Sequence, residues 1–193
     1  MPPIKKFQRE EIIEIAYKIV ENEGLNAINA RRIAKELGCS VQPIFHNFDT
    51  MDLLNEAVRD RIYSKYKEYM DSSQDKEKPY LAKGIAYIKF AKDYPEFFKI
   101  LFMRKSNLSP EDFALSDEVT KESVLPAGQS VFTLSYEEQK KLHIKAWFLA
   151  HGIACLVATN TIDYSEDYIK ELLRSTIRQI IAGSKLIEGG KNE

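Results

Sequence analysis

The chain has 193 residues, 44% hydrophobic and 30% charged, with 8 Gly and 7 Pro, a composition that fits a folded globular protein and excludes disordered and fibrous classes. With 28 basic and 29 acidic residues its formal net charge is −1, so a polyanionic partner would have to be met by a local basic surface. Its two cysteines, Cys39 and Cys155, stand far apart without CxxC spacing, which excludes a disulfide framework and a zinc knuckle and makes each a small buried apolar residue.

The N-terminal MPPIKKFQREE lacks an apolar h-region. The longest apolar run, Ala146 to Ala158, is broken by His151 and Gly152 and is too short to span a bilayer. A cytoplasmic protein without a membrane partner is expected. From Gln8 to Glu23, Ile12, Ile13, Ala16, Ile19 and Val20 recur at helical spacing, and Gly24 supplies the stop. Asn29 is an N-cap for a short second helix carrying Ile33, Ala34 and Leu37 on one face and ending at Gly38. Ser40 can cap a third helix, Val41 to about Asn47. Pro43 then falls in the first turn, where a missing N–H is harmless, and Cys39 and Ile44 occupy the positions of a hydrophobic staple.

Two short helices around a Gly-containing break form a helix-turn-helix, in which Ile33, Ala34, Leu37, Ile44, Phe45 and Phe48 can close a small core with the first helix. The other face of the third helix carries Val41, Gln42, His46 and Asn47, groups able to reach base edges, while Arg31, Arg32 and Lys35 offer phosphate contacts. A surface hairpin with ordinary polar residues has the same spacing.

Further along, Leu53, Leu54, Ala57, Val58, Ile62, Tyr66 and Tyr69 predict a long helix to about Met70, followed by a polar linker at 71–78. A second block begins near Pro79, with stripes through Leu81, Ile85, Ile88 and Ala91 and then Phe97, Leu101 and Phe102. Pro110, Pro126 and Gly128 break up 104–135, where a short helix near 109–122, an extended stretch at 130–135 and loop elsewhere are expected. Tyr136 to about Thr161 and Ser165 to about Lys185 read as two long helices with wide apolar faces, suited to pairing with their copies in a second subunit.

Residues 9–55 resemble the DNA-binding domain of the tetracycline-repressor (TetR) family through ARRIAKELGCSVQPIFHNF followed by MDLL, matching at Arg31, Ile33, Ala34, Gly38, Ser40, Phe45, Phe48 and Leu53. AWFLAHGIACL at 146–156 is similar to the Trp…His-Gly signature of one group of ligand-binding domains in that family, here Trp147, His151 and Gly152. The resemblance implies an all-α chain with a three-helix DNA-binding domain at 1–50 and a larger helical-bundle domain for ligand binding and dimerisation at 51–193. It implies a repressor that binds a palindromic DNA operator as a homodimer and is released by a small-molecule effector. The DNA-contacting set is then Asn29, Arg31, Arg32, Ser40, Val41, Gln42, Phe45, His46 and Asn47. Tyr87, Phe90, Phe98, Phe102, Trp147 and His151, with Phe97 beside them, could line an apolar cavity, although an aromatic stripe is also what a core requires. The chain departs from the family where it has Gln42-Pro43 for a frequent Gly-Thr, Phe45 for a tyrosine and Met51 for a lysine. The last two changes remove polar ends that commonly meet phosphate, so anchoring falls to Asn29, Arg31, Asn47 and first-turn amides.

Two other functions compete. His151 and Cys155, one helical turn apart, could act as a catalytic Cys-His pair or as soft metal ligands. Their apolar helix, with no second His/Cys cluster and no Gly-rich phosphate loop, favours packing, so no cofactor and no metal are expected. A helical protein-interaction module is the third reading.

Overall fold

The computed structural model describes residues 7–73, 75, 77–129 and 134–189. The described chain is all-α, without a strand. Of the stretch expected to be extended, 130–133 lie outside the described residues, as do 74 and 76 of the polar linker. The helices are α1 (Arg9–Glu23), α2 (Ala30–Leu37), α3 (Gln42–Asn47), α4 (Met51–Ser72), α5 (Pro79–Asp93), α6 (Pro95–Phe102), α7 (Pro110–Ser116), α8 (Leu125–Gln129), α9 (Tyr136–Ala158) and α10 (Glu166–Gly189). They form two compact units, one from the N-terminus to Tyr66 plus Tyr94–Arg104, the other Lys67–Asp93 plus the chain from Lys105 onward.

In the first unit, α1 starts where the Gln8 N–H donates to Glu11 Oε2 at 2.8 Å, which satisfies a first-turn donor. It buries Ile12, Ala16, Tyr17, Ile19 and Val20. It stops at Gly24, whose φ of +80° is strained for any other residue and whose bare Cα leaves room for the Glu96 carboxylate, 2.7 Å from where a Cβ would stand. Asn29 caps α2, its Oδ1 accepting from the Arg32 N–H at 2.9 Å, and Gly38 ends it at φ +66°. The spine of α4 is a strict four-residue repeat: Leu54, Val58, Ile62, Tyr66 and Met70 are all buried. Leu53, expected in that stripe, falls a quarter-turn off it and is exposed. Phe97 and Phe98 of α6 are fully buried, Phe97 with its ring centroid 4.7 Å from Tyr17.

The second unit is built on α5 against α9, with α7, α8 and α10 also on α9. Of the residues expected on the inner face of α5, Ile88 and Ala91 are buried and Leu81 and Ile85 are only half-buried, while Tyr80, Lys83, Ala86, Tyr87 and Phe90 are buried as well. Polar partners explain the difference. Tyr80 Oη lies 3.2 Å from His143 Nδ1 and Tyr87 Oη lies 2.9 Å from His151 Nδ1, while Lys83 Nζ donates to the Met70 carbonyl at 2.6 Å. Each buried polar tip is thus satisfied, and an apolar count alone misplaces the face.

The loop expected after 122 is helical. A π-helical turn at Thr120–Val124 runs directly into α8, the Leu125 N–H donating to the Thr120 carbonyl, so Pro126 lies inside a continuous helical stretch and does not end it. Gly128 is buried with no space for a Cβ, which would run into the Gln139 amide. α9 opens on a capping box in which the Ser135 N–H donates to Glu138 Oε2 at 2.6 Å. It ends at Ala158, short of the expected Thr161, with Asn160 at φ 53°. Extended back to Tyr136, this helix does have the length and apolar content to cross a bilayer, a correction to the reading from the 146–158 run. In the second unit it buries Leu142, Ala146, Ala150, Ile153, Ala154 and Ala158 as a core helix.

Candidate nucleic-acid interface

The third helix is set down by residues distant in sequence. Ile44 and Phe48 are 0% and 2% exposed and fix its inner face. Asn47 Nδ2 donates to the Pro43 carbonyl at 2.8 Å and to the Phe7 carbonyl at 3.3 Å. Arg9 completes the clamp: its Nη1 donates to the Asn47 carbonyl at 2.9 Å and its guanidinium lies 4.0 Å from the Phe48 ring centroid. Nothing in the sequence near α3 signals Arg9, since the contact closes across 38 positions.

Three expectations change at the third helix. The residue preceding α3 is Val41, not Ser40: the Ile44 and Phe45 N–H groups both donate to the Val41 carbonyl, at 3.1 and 3.3 Å. With that shift Pro43 moves to the second helical position, and the staple pairing of Cys39 with Ile44 lapses. Phe45 is not core; it is 46% exposed. Asn47 is half-buried and its amide is engaged within the protein, because a carboxamide can satisfy the end of α3 and the incoming chain at once. Arg32, half-buried, carries surface ion pairs to Glu23 at 2.8 Å and Glu36 at 3.0 Å.

What remains outward is a compact set. Val41, Gln42, Phe45 and His46 of the third-helix segment are exposed, with Ser40 just before it. Asn29 is exposed beyond its capping oxygen, and Arg31 and Lys35 of α2 are exposed cations with no ion pair among the described residues. A short helix held rigidly from behind, with amide, imidazole and apolar groups in front and cations on the preceding helix, can enter a major groove and meet the flanking phosphates.

The aromatic residues divide between the units. Phe98 and Phe102 belong to the first, where Phe102 meets Tyr66 edge-on at 5.0 Å. Tyr87, Phe90, Trp147 and His151 belong to the second. There the Trp147 ring stacks on His151 at 4.5 Å with a 13° interplanar angle, Phe113 meets Trp147 edge-on at 5.7 Å, and Phe90 is fully buried. Cys155 Sγ lies 3.4 Å from His151 Nε2. Burial pushes the Cys155 thiol up and the His151 imidazole down, so the pair rests as neutral thiol and neutral imidazole, the reverse of an activated thiolate. Among the described residues no group of three or more His, Cys, Asp or Glu is placed to hold a metal. A separate groove of about 570 Å³, lined by Tyr69, Leu81, Ile85, Lys89, Glu166 and Lys170 among others, includes none of the six residues expected to bind ligand. Sequence reasoning also missed Gln139 and His143, fully buried one turn apart on α9 with Gln139 Nε2, Gln139 Oε1 and His143 Nε2 unpartnered.

No model of a known protein family matches the chain. The uncharacterized HTH-type transcriptional regulator YobS of Bacillus subtilis (strain 168) is 22% identical over 198 residues, spanning 100% of this chain and 99% of its own length. Among solved structures, a TetR-like transcriptional regulator from Rhodococcus sp. RHA1 superposes with a TM-score of 0.63 at 16% identity, covering 94% of this chain and 100% of that one. A tetR-family transcriptional regulator from Streptomyces coelicolor gives 0.67 at 16% identity, covering 93% and 82%. The fold of this chain is therefore that of the TetR-like transcriptional regulators, and the resemblance carried by residues 9–55 is met by whole-chain structural likeness.

Proposed function

We propose that the chain is a non-enzymatic, cytoplasmic, DNA-binding transcriptional regulator, a repressor that grips a palindromic operator as a homodimer and lets go when a small molecule binds. The observation that carries this reading is the third helix: clamped from behind by Arg9 and Asn47, it leaves Val41, Gln42, Phe45 and His46 free in front. The DNA-contacting set is Asn29, Arg31, Arg32, Ser40, Val41, Gln42, Phe45, His46 and Asn47. Within it Arg32 and Asn47 act mainly by holding the helices in place. The likeness to TetR-like regulators and to YobS supports the same reading.

The division of labour places DNA binding in 1–50 and ligand binding with dimerisation in 51–193. For the dimer, the supporting feature is apolar surface on the last two helices: Phe148 and Tyr168 are 48% and 54% exposed, and Gly152 faces open space, one turn from Phe148. For the effector, the supporting feature is Trp147 stacked on His151, whose Nδ1 lies 2.9 Å from Tyr87 Oη, apolar rings with a few polar tips of the kind small-molecule sites use; Phe90, Phe98 and Phe102 are the further candidates.

Selection of bound fragments from a random duplex pool, followed by isotherms at several salt concentrations, tests the function. Recovery of a palindrome whose affinity falls steeply with salt is expected. Equal retention of all sequences, or none, would reject it. An effector found by thermal-shift screening should weaken operator binding, and operator should weaken effector binding by the same factor.

A further inference from the structure

The free face of the third-helix segment has two rows of different chemistry. Val41 and Phe45 make one, 38% and 46% exposed and one turn apart, the Phe45 N–H donating to the Val41 carbonyl at 3.3 Å. Gln42 and His46 make the other, each one residue further on and exposed. Ile44 and Phe48 already fill the inner face, so the exposed part of the apolar row adds nothing to the core of this unit and loses transfer free energy by facing water.

We propose that Val41 and Phe45 read pyrimidine C5-methyl groups of thymine in the major groove, beside adenines contacted by Gln42. The inference rests on the duplex-binding function proposed above and deepens it. The thymine methyl is the one apolar group that unmodified DNA presents in the major groove, and it lies across the base pair from the adenine N6 and N7 that a carboxamide meets bidentately. An amide row flanked by an apolar row therefore matches both halves of an A·T pair, whereas a G·C pair offers no methyl. 5-Methylcytosine carries the same methyl, but opposite guanine, which the Gln42 amide fits less well. Phe45 lacks a hydroxyl that would draw its ring toward phosphate, which leaves the exposed part of the ring available to a methyl.

The test uses the full chain and the duplex recovered from the random pool, with each thymine replaced singly by uracil, which deletes only the methyl. Affinity should fall about three- to fivefold at one or two positions in each half-site, the effect of one buried methyl-sized group. Phe45→Ala, at an exposed position, should keep the thermal midpoint, bind the thymine duplex more weakly and lose the thymine-to-uracil ratio at one of those positions; Val41→Ala should do so at another. Tight sequence-specific binding that ignores uracil everywhere, or ratios unchanged in both variants, would overturn the inference while leaving the regulator reading intact. Sensitivity to 5-methylcytosine at positions where uracil is neutral would overturn the assignment to thymine. Absence of any sequence preference would remove the regulator reading itself, and this inference with it.

Discussion

Arg9, the first residue of α1, holds Phe48, the residue that ends α3, under its guanidinium at 4.0 Å, while donating to the neighbouring Asn47 carbonyl at 2.9 Å. One exposed side chain thus ties the first helix to the far end of the third. A charge-assisted hydrogen bond and an exposed cation–π contact each contribute on the order of 1 kcal/mol. Arg9→Ala is expected to lower stability by about 1–2 kcal/mol in urea unfolding and to weaken operator binding by loosening the helix, without changing which base pairs are preferred. A shifted base preference would show that Arg9 reads sequence directly.

Gln42 and Arg31 should separate specifying from positioning. Gln42→Ala removes an exposed amide from the front of the third helix and should relax preference at particular base pairs, at a cost of roughly 1–3 kcal/mol if a bidentate adenine contact is lost. Arg31→Ala removes an exposed cation and should weaken all duplexes alike, with the salt slope shallower by about one. Isotherms on operator and scrambled DNA across salt concentrations decide it, and uniform weakening by Gln42→Ala would move the reading surface elsewhere.

His143 makes the second unit sensitive to acid. Burial lowers its pKa from 6.5 to about 4, so at pH 7 it is neutral whether folded or unfolded and costs nothing. As pH falls below 6.5 the unfolded chain takes up the proton first, and stability drops until about pH 4, where the folded form is protonated as well. The full loss over that window is roughly 3 kcal/mol. His151, also shifted down by burial, adds to it. Urea midpoints at pH 7 and 4.5 should differ more for the natural chain than for His143→Phe, which begins lower at pH 7 because Tyr80 loses its hydrogen-bond partner. An unchanged pH dependence in the variant would show that His143 is not the responsible group.

How far the sequence reached depended on whether a residue's partner was local. The caps Asn29, Gly24 and Gly38 and most of the apolar periods of α1, α2 and α4 act within a turn of themselves and are read directly, Leu53 of α4 being the exception. The outward placing of Gln42 and His46 followed from the same periodicity. Phe45 is read as core because hydrophobicity says nothing about which side of a six-residue helix a ring occupies; Asn47 is read as free because, of its two acceptors, the Pro43 carbonyl one turn back leaves no mark in the sequence pattern and the Phe7 carbonyl lies 40 positions away. On α5, tyrosine and lysine count as amphipathic, and only the histidines on α9 and the Met70 carbonyl reveal that they face inward. α8 is hidden by Pro126, a helix breaker through its missing N–H that here follows a π-helical turn without ending the helix.

The dimer is tested on α9. Phe148 is 48% exposed, and the open space outside Gly152, four residues on, would let a second helix approach closely. An aromatic ring beside a glycine suits a helix–helix seam, where the ring of one copy covers the bare backbone of the other. Phe148→Glu places a charge in that seam and Gly152→Leu fills the gap, yet neither change touches the inner face carrying Leu142, Ala146, Ala150 and Ile153. Both variants should remain helical and sediment near the chain mass of 22.3 kDa, whereas the natural chain at micromolar concentration should sediment at twice that. Their operator affinity should fall sharply, since one half-site contact remains where two were joined. A natural chain that sediments as a monomer, or variants that stay dimeric and bind operator undiminished, would place the subunit contact on another face.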